Sequence, residues 1–270
     1  MTNKTILVLG GTGKTGRRVV SRLAERGVEA RAASRKGAVR FDWDDETTWA
    51  PALEGADAAY LIPPTELGSG ELFSTFVARA EQAGVRRFVL LSAREVDESP
   101  STGVQAAEAA VRASGAEWTI VRATWFAQNF SEDFFAPSIE SGVLALPTGD
   151  GKEPFIDVDD IADVVVAVLL EDGHHGQVYE LSGPELLSFA EAVALISEQS
   201  GKDVVFQPVE PAEFTRALIA DGFPDDLADL FAGLLALIRN GGNAYLSDGV
   251  QRVLGRPPRR FADYVRRTWG

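Results

Sequence analysis

Short apolar runs alternate with longer amphipathic stretches through the first 120 residues. Strands are predicted at 5–10 (TILVLG), 29–34, 39–42, 56–62, 87–92 (RFVLLS) and 118–122 (WTIVR). Helical spacing between them predicts helices over 14–26, 46–53, 70–83 and 102–114. Continuously apolar strands separated by helices point to a parallel sheet covered on both faces. Right-handed βαβ crossovers then make the expected fold class α/β, a doubly wound Rossmann sheet.

The rhythm changes near residue 123. Residues 126–135 are rich in aromatics, and 142–147 and 153–158 read as short extended pieces. A helix is expected over 159–170, with acidic residues in its first turn that suit the helix dipole. A strand follows at 177–182. Ser188 caps a helix running to about 200, with Glu191 at the capping-box position. Residues 204–208 are extended, 211–238 mostly helical, and 250–254 and 260–268 closing helices. The expected division is a dinucleotide-binding core over 1–150, with 155–182 returning to it. A smaller, mostly helical substrate lobe spans 183–270.

The stretch Gly10-Gly11-Thr12-Gly13-Lys14-Thr15-Gly16 follows the first strand and opens the first helix. Glycines 11, 13 and 16 satisfy G-x-G-x-x-G. That pattern supplies a tight turn and close backbone approach to a pyrophosphate at a helix N-terminus. Gly13-Lys14-Thr15 resembles the end of a P-loop, but that motif needs glycine five residues before Gly13, where Val8 stands. Dinucleotide-binding units that take NAD end strand two with a carboxylate for the ribose. Here the position is Ser34, followed by Arg35 and Lys36, two cations suited to a 2′-phosphate. The expected cofactor is therefore NADP(H). Asp42 and Trp43 are candidates to flank the adenine, or form an exposed turn.

Composition narrows the chemistry. The 270 residues contain no cysteine, which removes disulfides, thiolate nucleophiles and zinc–cysteine sites. The net charge of -14 is uneven: +8 over 1–40, -27 over 41–230 and +5 over 231–270. A chain this acidic is a poor general nucleic-acid binder, yet the basic first segment suits one anionic ligand. The longest apolar runs, 164–170 and 231–238, are too short to span a bilayer. No leader-like segment opens the chain, so a cytoplasmic monomer or homodimer without a membrane partner is expected. Twenty-one arginines against five lysines hint at a GC-rich bacterial gene.

Ligands of such sheets lie beyond the carboxyl ends of the strands. That makes Ile62 and Pro63 candidates for the cofactor and Pro64 for the substrate. Ser92 is the candidate catalytic residue, donating to a substrate oxygen or the nicotinamide amide, unless it merely caps its strand. Trp125, Phe126 and Phe130 are candidates for an aromatic substrate slot, with Asn129 as a polar contact or a helix cap. Glu108 is either a replacement acid or a packing carboxylate. No metal is expected: His174-His175 reads as a turn, and Asp157, Asp159, Asp160 and Asp163 as a strand end and helix start.

TILVLGGTGKTGRRVV, ASRKG, FVLLSA, SGAEWTIVRATWFAQNF and PFIDVDDIADVVVAVL, with the closing SDGVQRVLGRPPRRFADYV, resemble NmrA-like proteins. These are atypical short-chain dehydrogenase/reductases. The resemblance covers essentially the whole chain. It implies a Rossmann fold with a small C-terminal substrate lobe and usually NADP. It also implies a quinone reductase-like, dye reductase-like or ergot-alkaloid reductase-like activity, or a redox sensor that binds dinucleotide without turnover. The superfamily's usual Tyr-x-x-x-Lys pair is missing: four residues beyond Tyr60, Tyr179, Tyr245 and Tyr264 stand Pro64, Gly183, Gly249 and Thr268. No lysine lies between Lys36 and Lys152, so the mid-chain lysine of isoflavone reductase-like relatives is missing too. Hydride transfer needs only a well-placed nicotinamide. The expected function is therefore NADPH-dependent reduction of a small conjugated acceptor (quinone, dye, enone or iminium). The alternative is a non-catalytic NADP(H)-binding sensor acting through a protein partner.

Overall fold

The structure is a computed structural model that describes residues 4–64, 69–97 and 103–270. It divides into two compact units, and elements are numbered along the whole chain. The first unit holds residues 1–123, 158–181 and 248–257. Its strands are β1 (Thr5–Leu9), β2 (Glu29–Ser34), β3 (Val39–Arg40), β4 (Ala58–Leu61), β5 (Arg87–Ala93), β6 (Glu117–Ala123) and β9 (Gln177–Leu181). Its helices are α1 (Lys14–Glu25), α2 (Trp49–Leu53), α3 (Gly70–Gln82), α4 (Val104–Ala113), α7 (Val158–Leu170) and α11 (Gly249–Leu254).

All seven strands pair in parallel in the order β3-β2-β1-β4-β5-β6-β9. The doubly wound expectation holds, and the reason is visible strand by strand. β1, β4 and the centre of β5 are buried on both faces, so alternating polar positions would have been left without water. Chain order reverses between β1 and β4, which puts a topological switch point beside the glycine loop. The helix expected from 102 begins at Val104 among the described residues; Thr102 lies outside them.

The second unit holds residues 124–157, 182–247 and 258–270. It contains α5 (Asn129–Glu132), α6 (Ala136–Ser141), β7 (Val143–Leu146), β8 (Lys152–Glu153), β10 (Leu187–Ser188) and α8 (Phe189–Ser200), then β11 (Val205–Pro208), α9 (Pro211–Ala220), α10 (Asp225–Arg239) and α12 (Phe261–Trp269). The expected boundary is corrected at both ends. Residues 124–150 pack with the second unit, because their aromatics join a core with Phe155, Phe189 and Phe261. Residues 248–257 return to the first, where Gly249 allows α11 to abut the Glu180 carbonyl on β9. The capping box at Ser188 and Glu191 is present in both directions, at 3.1 and 2.8 Å. Among the described residues, no helix is long and apolar enough to cross a membrane.

The acidic start of α7 is matched by arginines of the same unit. Asp159 meets Arg18 at 3.2 Å and Arg22 at 2.8 Å. Asp160 and Asp163 each meet Arg256 at 2.7 Å, and Asp163 also binds Arg22. In the second unit Asp157 binds Arg267 and accepts from Gln128 at 2.8 Å. The four aspartates are thus held by cations and an amide, and two arginines of the basic C-terminal segment, Arg256 and Arg267, serve them.

Candidate functional site

The loop after β1 is shaped by two glycines. Gly10 has φ +61°, a conformation costly for any residue with a Cβ. A Cβ on Gly16 would collide with the Gly10 carbonyl, so α1 could not start so close to the strand. Gly13 is the N-cap of α1, with extended backbone and no side chain over the first turn. No side chain therefore caps this helix N-terminus, the end of a helix that suits an anion.

A cleft of about 630 Å³ opens from this loop, lined by backbone and side chains from the ends of β1, β2, β3 and β4. Of the candidate cofactor residues, Gly10, Thr12, Gly13, Ser34, Arg35, Lys36, Asp42, Trp43, Ile62 and Pro63 line it. Pro64, a substrate candidate, lines it too. Gly11, Lys14, Thr15 and Gly16 are outside the lining. Gly11 is buried against β2, where its N–H donates to the Ala33 carbonyl at 3.1 Å. Thr15 is buried beside Tyr60.

The second-strand end carries the selective features. Arg35 and Lys36 are exposed and form no ion pair with another described residue. The Ser34 hydroxyl is buried with no hydrogen-bond partner among the described residues, a costly state unless a ligand supplies one. Asp42 is pinned through its backbone, its carbonyl accepting from Trp49 Nε1 at 2.9 Å and its N–H donating to Thr48 at 3.0 Å. Trp43 is half-buried, edge-on to Phe41 at 4.9 Å, and presents its remaining surface at the cleft. Glycine cradle, orphaned hydroxyl and two uncompensated cations together fit a phosphorylated dinucleotide.

Ser92 stands at the end of β5 but is already engaged. Its hydroxyl donates to Glu108 Oε1 at 2.6 Å. Arg122 grips the same carboxylate with two hydrogen bonds of 2.8 Å, and Arg112 adds one at 3.2 Å. Burial opposes ionisation of Glu108, but the bonds from Arg122 and Ser92 outweigh it and hold the carboxyl below its usual range. The expectation of Ser92 as a donor is corrected, because its single proton is committed to a carboxylate. Glu108 is a packing carboxylate and, held ionised, a poor acid. Burial likewise pushes the phenols of Tyr60 and Tyr264 upward, making both reluctant proton donors.

In the second unit, Trp125 is partly exposed and lies parallel to Phe135 at 5.9 Å. Phe126 is partly exposed and bridges to Ile156. Asn129 opens α5, its N–H donating to the Phe126 carbonyl at 3.1 Å. Phe130 is fully buried among Phe135, Phe155, Phe189 and Phe261, at 5.3–5.9 Å, so its assignment to a substrate slot is corrected. Phe134 and Phe231, which sequence reading did not single out, are partly exposed and overlap at 4.1 Å. Phe134 lies in the aromatic-rich stretch, but nothing local in the sequence ties Phe231 to it, a hundred residues away.

The profile of the NmrA-like family matches residues 2–251. The chain belongs to the NmrA-like family. An uncharacterized oxidoreductase of Bacillus subtilis is 36% identical to this NmrA-like chain, over 98% of it and 95% of the relative. An NAD(P)H azoreductase of Xenophilus azovorans is 32% identical, over 97% of this chain and 96% of its own. Among solved structures, an NADPH-dependent quinone oxidoreductase of Escherichia coli, complexed with NADPH, superposes with a TM-score of 0.78. It is 27% identical, with 98% of this chain and 100% of that one covered.

Proposed function

We propose that this NmrA-like chain is an NADPH-dependent reductase of a small conjugated acceptor that works without a Tyr-x-x-x-Lys pair. The observation that carries the reading is the cleft in which the glycine loop meets Ser34, Arg35 and Lys36. The loop N–H groups would hold the pyrophosphate, and the two cations with the Ser34 hydroxyl the 2′-phosphate. Asp42 and Trp43 would flank the adenine, with Ile62, Pro63 and Pro64 also lining the cleft. Bound NADPH supplies hydride, which leaves the protein to orient the acceptor and exclude water. Ser92, its proton held by Glu108, can still accept a hydrogen bond, as from a carboxamide N–H. The relatives named as an azoreductase and a quinone oxidoreductase support electrophilic, conjugated acceptors rather than simple ketones.

NADPH oxidation followed by absorbance, across a panel of quinones, azo and cationic dyes and imines, tests the reading. Turnover of at least one class is expected. Tight NADPH binding by calorimetry with turnover of none would replace it with a second reading, a dinucleotide sensor acting through a protein partner. The missing Tyr-x-x-x-Lys pair is what favours that second reading.

A further inference from the structure

Three side chains of the first unit converge on one buried carboxylate near the carboxyl ends of β5 and β6. Ser92 and Arg122 stand opposite each other in the parallel register of those strands, and both reach Glu108 on α4. Glu108 Oε1 accepts from the Ser92 hydroxyl at 2.6 Å and from Arg122 Nε at 2.8 Å. Oε2 accepts from a second Arg122 nitrogen at 2.8 Å and from Arg112 at 3.2 Å. A serine hydroxyl has one proton and two lone pairs. With its proton drawn to an ionised carboxylate, Ser92 has only a lone pair to offer any other group.

Ser92 also stands beside the cleft of the glycine loop, within the same unit. Leu61 on β4 pairs in register with Leu90 on β5. Two residues further along each chain segment come Pro63, on the cleft lining, and Ser92. Neighbouring strands lie about 4.8 Å apart, so Ser92 is about one strand spacing from that lining. A dinucleotide laid across the switch point carries its second base toward the far half of the sheet, to which β4 and β5 belong.

We propose that Glu108 is a positioning residue for the cofactor: by taking the Ser92 proton it makes Ser92 an acceptor that selects the nicotinamide carboxamide through its N–H and fixes which way that amide points. This rests on the dinucleotide reading above. A carboxamide carries one acceptor and two donors, and a serine free to rotate can serve either. A serine committed to a carboxylate serves only the N–H. Glu108→Gln reverses this polarity. Its amide oxygen belongs where Oε2 stands, facing donors from both Arg122 and Arg112. That leaves the NH2 group where Oε1 stands, facing Ser92. There it donates to the hydroxyl and frees the serine proton.

Calorimetry with NADP⁺ and with its 3-acetylpyridine analogue tests this. In the analogue a methyl group replaces the carboxamide NH2, so the carbonyl remains and the donor is gone. The native chain is expected to bind NADP⁺ about fivefold more tightly, the scale of one hydrogen bond. Ser92→Ala should bring that ratio close to one. Glu108→Gln should do the same or favour the analogue, whose carbonyl can then accept from Ser92. In both variants the ratio of NADPH to NADH affinity, set at the other end of the cofactor, should stay native. That separates a lost contact at the nicotinamide from a general loosening of the site. Should Glu108→Gln fail to fold, Ser92→Ala decides the matter alone. Equal affinity of the native chain for NADP⁺ and the analogue, or a folded variant that keeps the native ratio, overturns the proposal and leaves NADP binding standing. Binding of neither nucleotide overturns the dinucleotide reading and this proposal with it.

Discussion

The Ser92 hydroxyl donates to Glu108 Oε1 at 2.6 Å, and Arg122 holds both oxygens of the same carboxylate with two bonds of 2.8 Å. The Glu108 side chain is 6% exposed and that of Arg122 15%, so the pair lies away from solvent screening. Removing the carboxylate in Glu108→Ala leaves the guanidinium buried and poorly compensated, and should cost about 3–5 kcal/mol in urea unfolding. Glu108→Gln should cost less, because the amide oxygen still accepts from Arg122. The sign of the pH dependence follows from the lowered carboxyl. Its contribution is present above the unfolded value of about 4.3 and is lost as pH falls through the folded one. The stability gap between the native chain and Glu108→Gln should therefore shrink below about pH 4; a constant gap down to pH 3 would contradict the assignment.

Arg35 and Lys36 follow β2 with no intramolecular ion pair among the described residues. Their replacement by alanine together should weaken NADPH binding by about 2–3 kcal/mol, the scale of two charge-assisted hydrogen bonds at an exposed site. NADH, without the 2′-phosphate, should change little. Calorimetry with both nucleotides checks this, and equal losses would count against a phosphate clamp.

The loop glycines should separate binding from folding. A Cβ at Gly13 would sit 3.2 Å from the Gly10 carbonyl oxygen, on the lining of the cleft. Gly13→Ala should raise the NADPH Kd with little loss of thermal stability. Gly16→Ala should instead destabilise the first unit by about 1–3 kcal/mol, as overpacking does. Melting curves alongside nucleotide titration distinguish the two.

Arg256 reaches both Asp160 and Asp163 at 2.7 Å, and Asp160 is fully buried. Arg256→Ala should lower stability by about 2 kcal/mol. Arg256→Lys should recover only part of that, because one guanidinium nitrogen reaches both carboxylates while the other donates to the Pro257 carbonyl at 3.0 Å, a bond that a lone ammonium does not keep alongside them. Full recovery by lysine in urea denaturation would show that charge alone matters at this position.

Much of the first unit was legible in the sequence because its signals are local. A buried parallel strand must be apolar along its length, so β1, β4 and β5 announced themselves. The glycine loop, with Ser34, Arg35 and Lys36 at the end of strand two, marked where the cleft opens, since turn geometry and charge depend on few neighbours. Short pieces were harder: 39–42 forms only the two-residue strand Val39–Arg40, because Asp42 is drawn off by Thr48 and Trp49.

What only the tertiary structure decided are relationships between distant residues. Sequence made Ser92 a donor and Phe130 a slot residue, because strand ends and aromatic runs carry those meanings by themselves. Glu108 and Arg122 took the serine's proton, and three distant phenylalanines with neighbouring Phe135 closed over Phe130. Conversely, Phe231 became a partner of Phe134 only when α10 was in place. Local physics sets which backbone shapes and charges a segment can offer. Burial and hydrogen-bond competition, which depend on every segment at once, decide which of those offers remain open to a ligand.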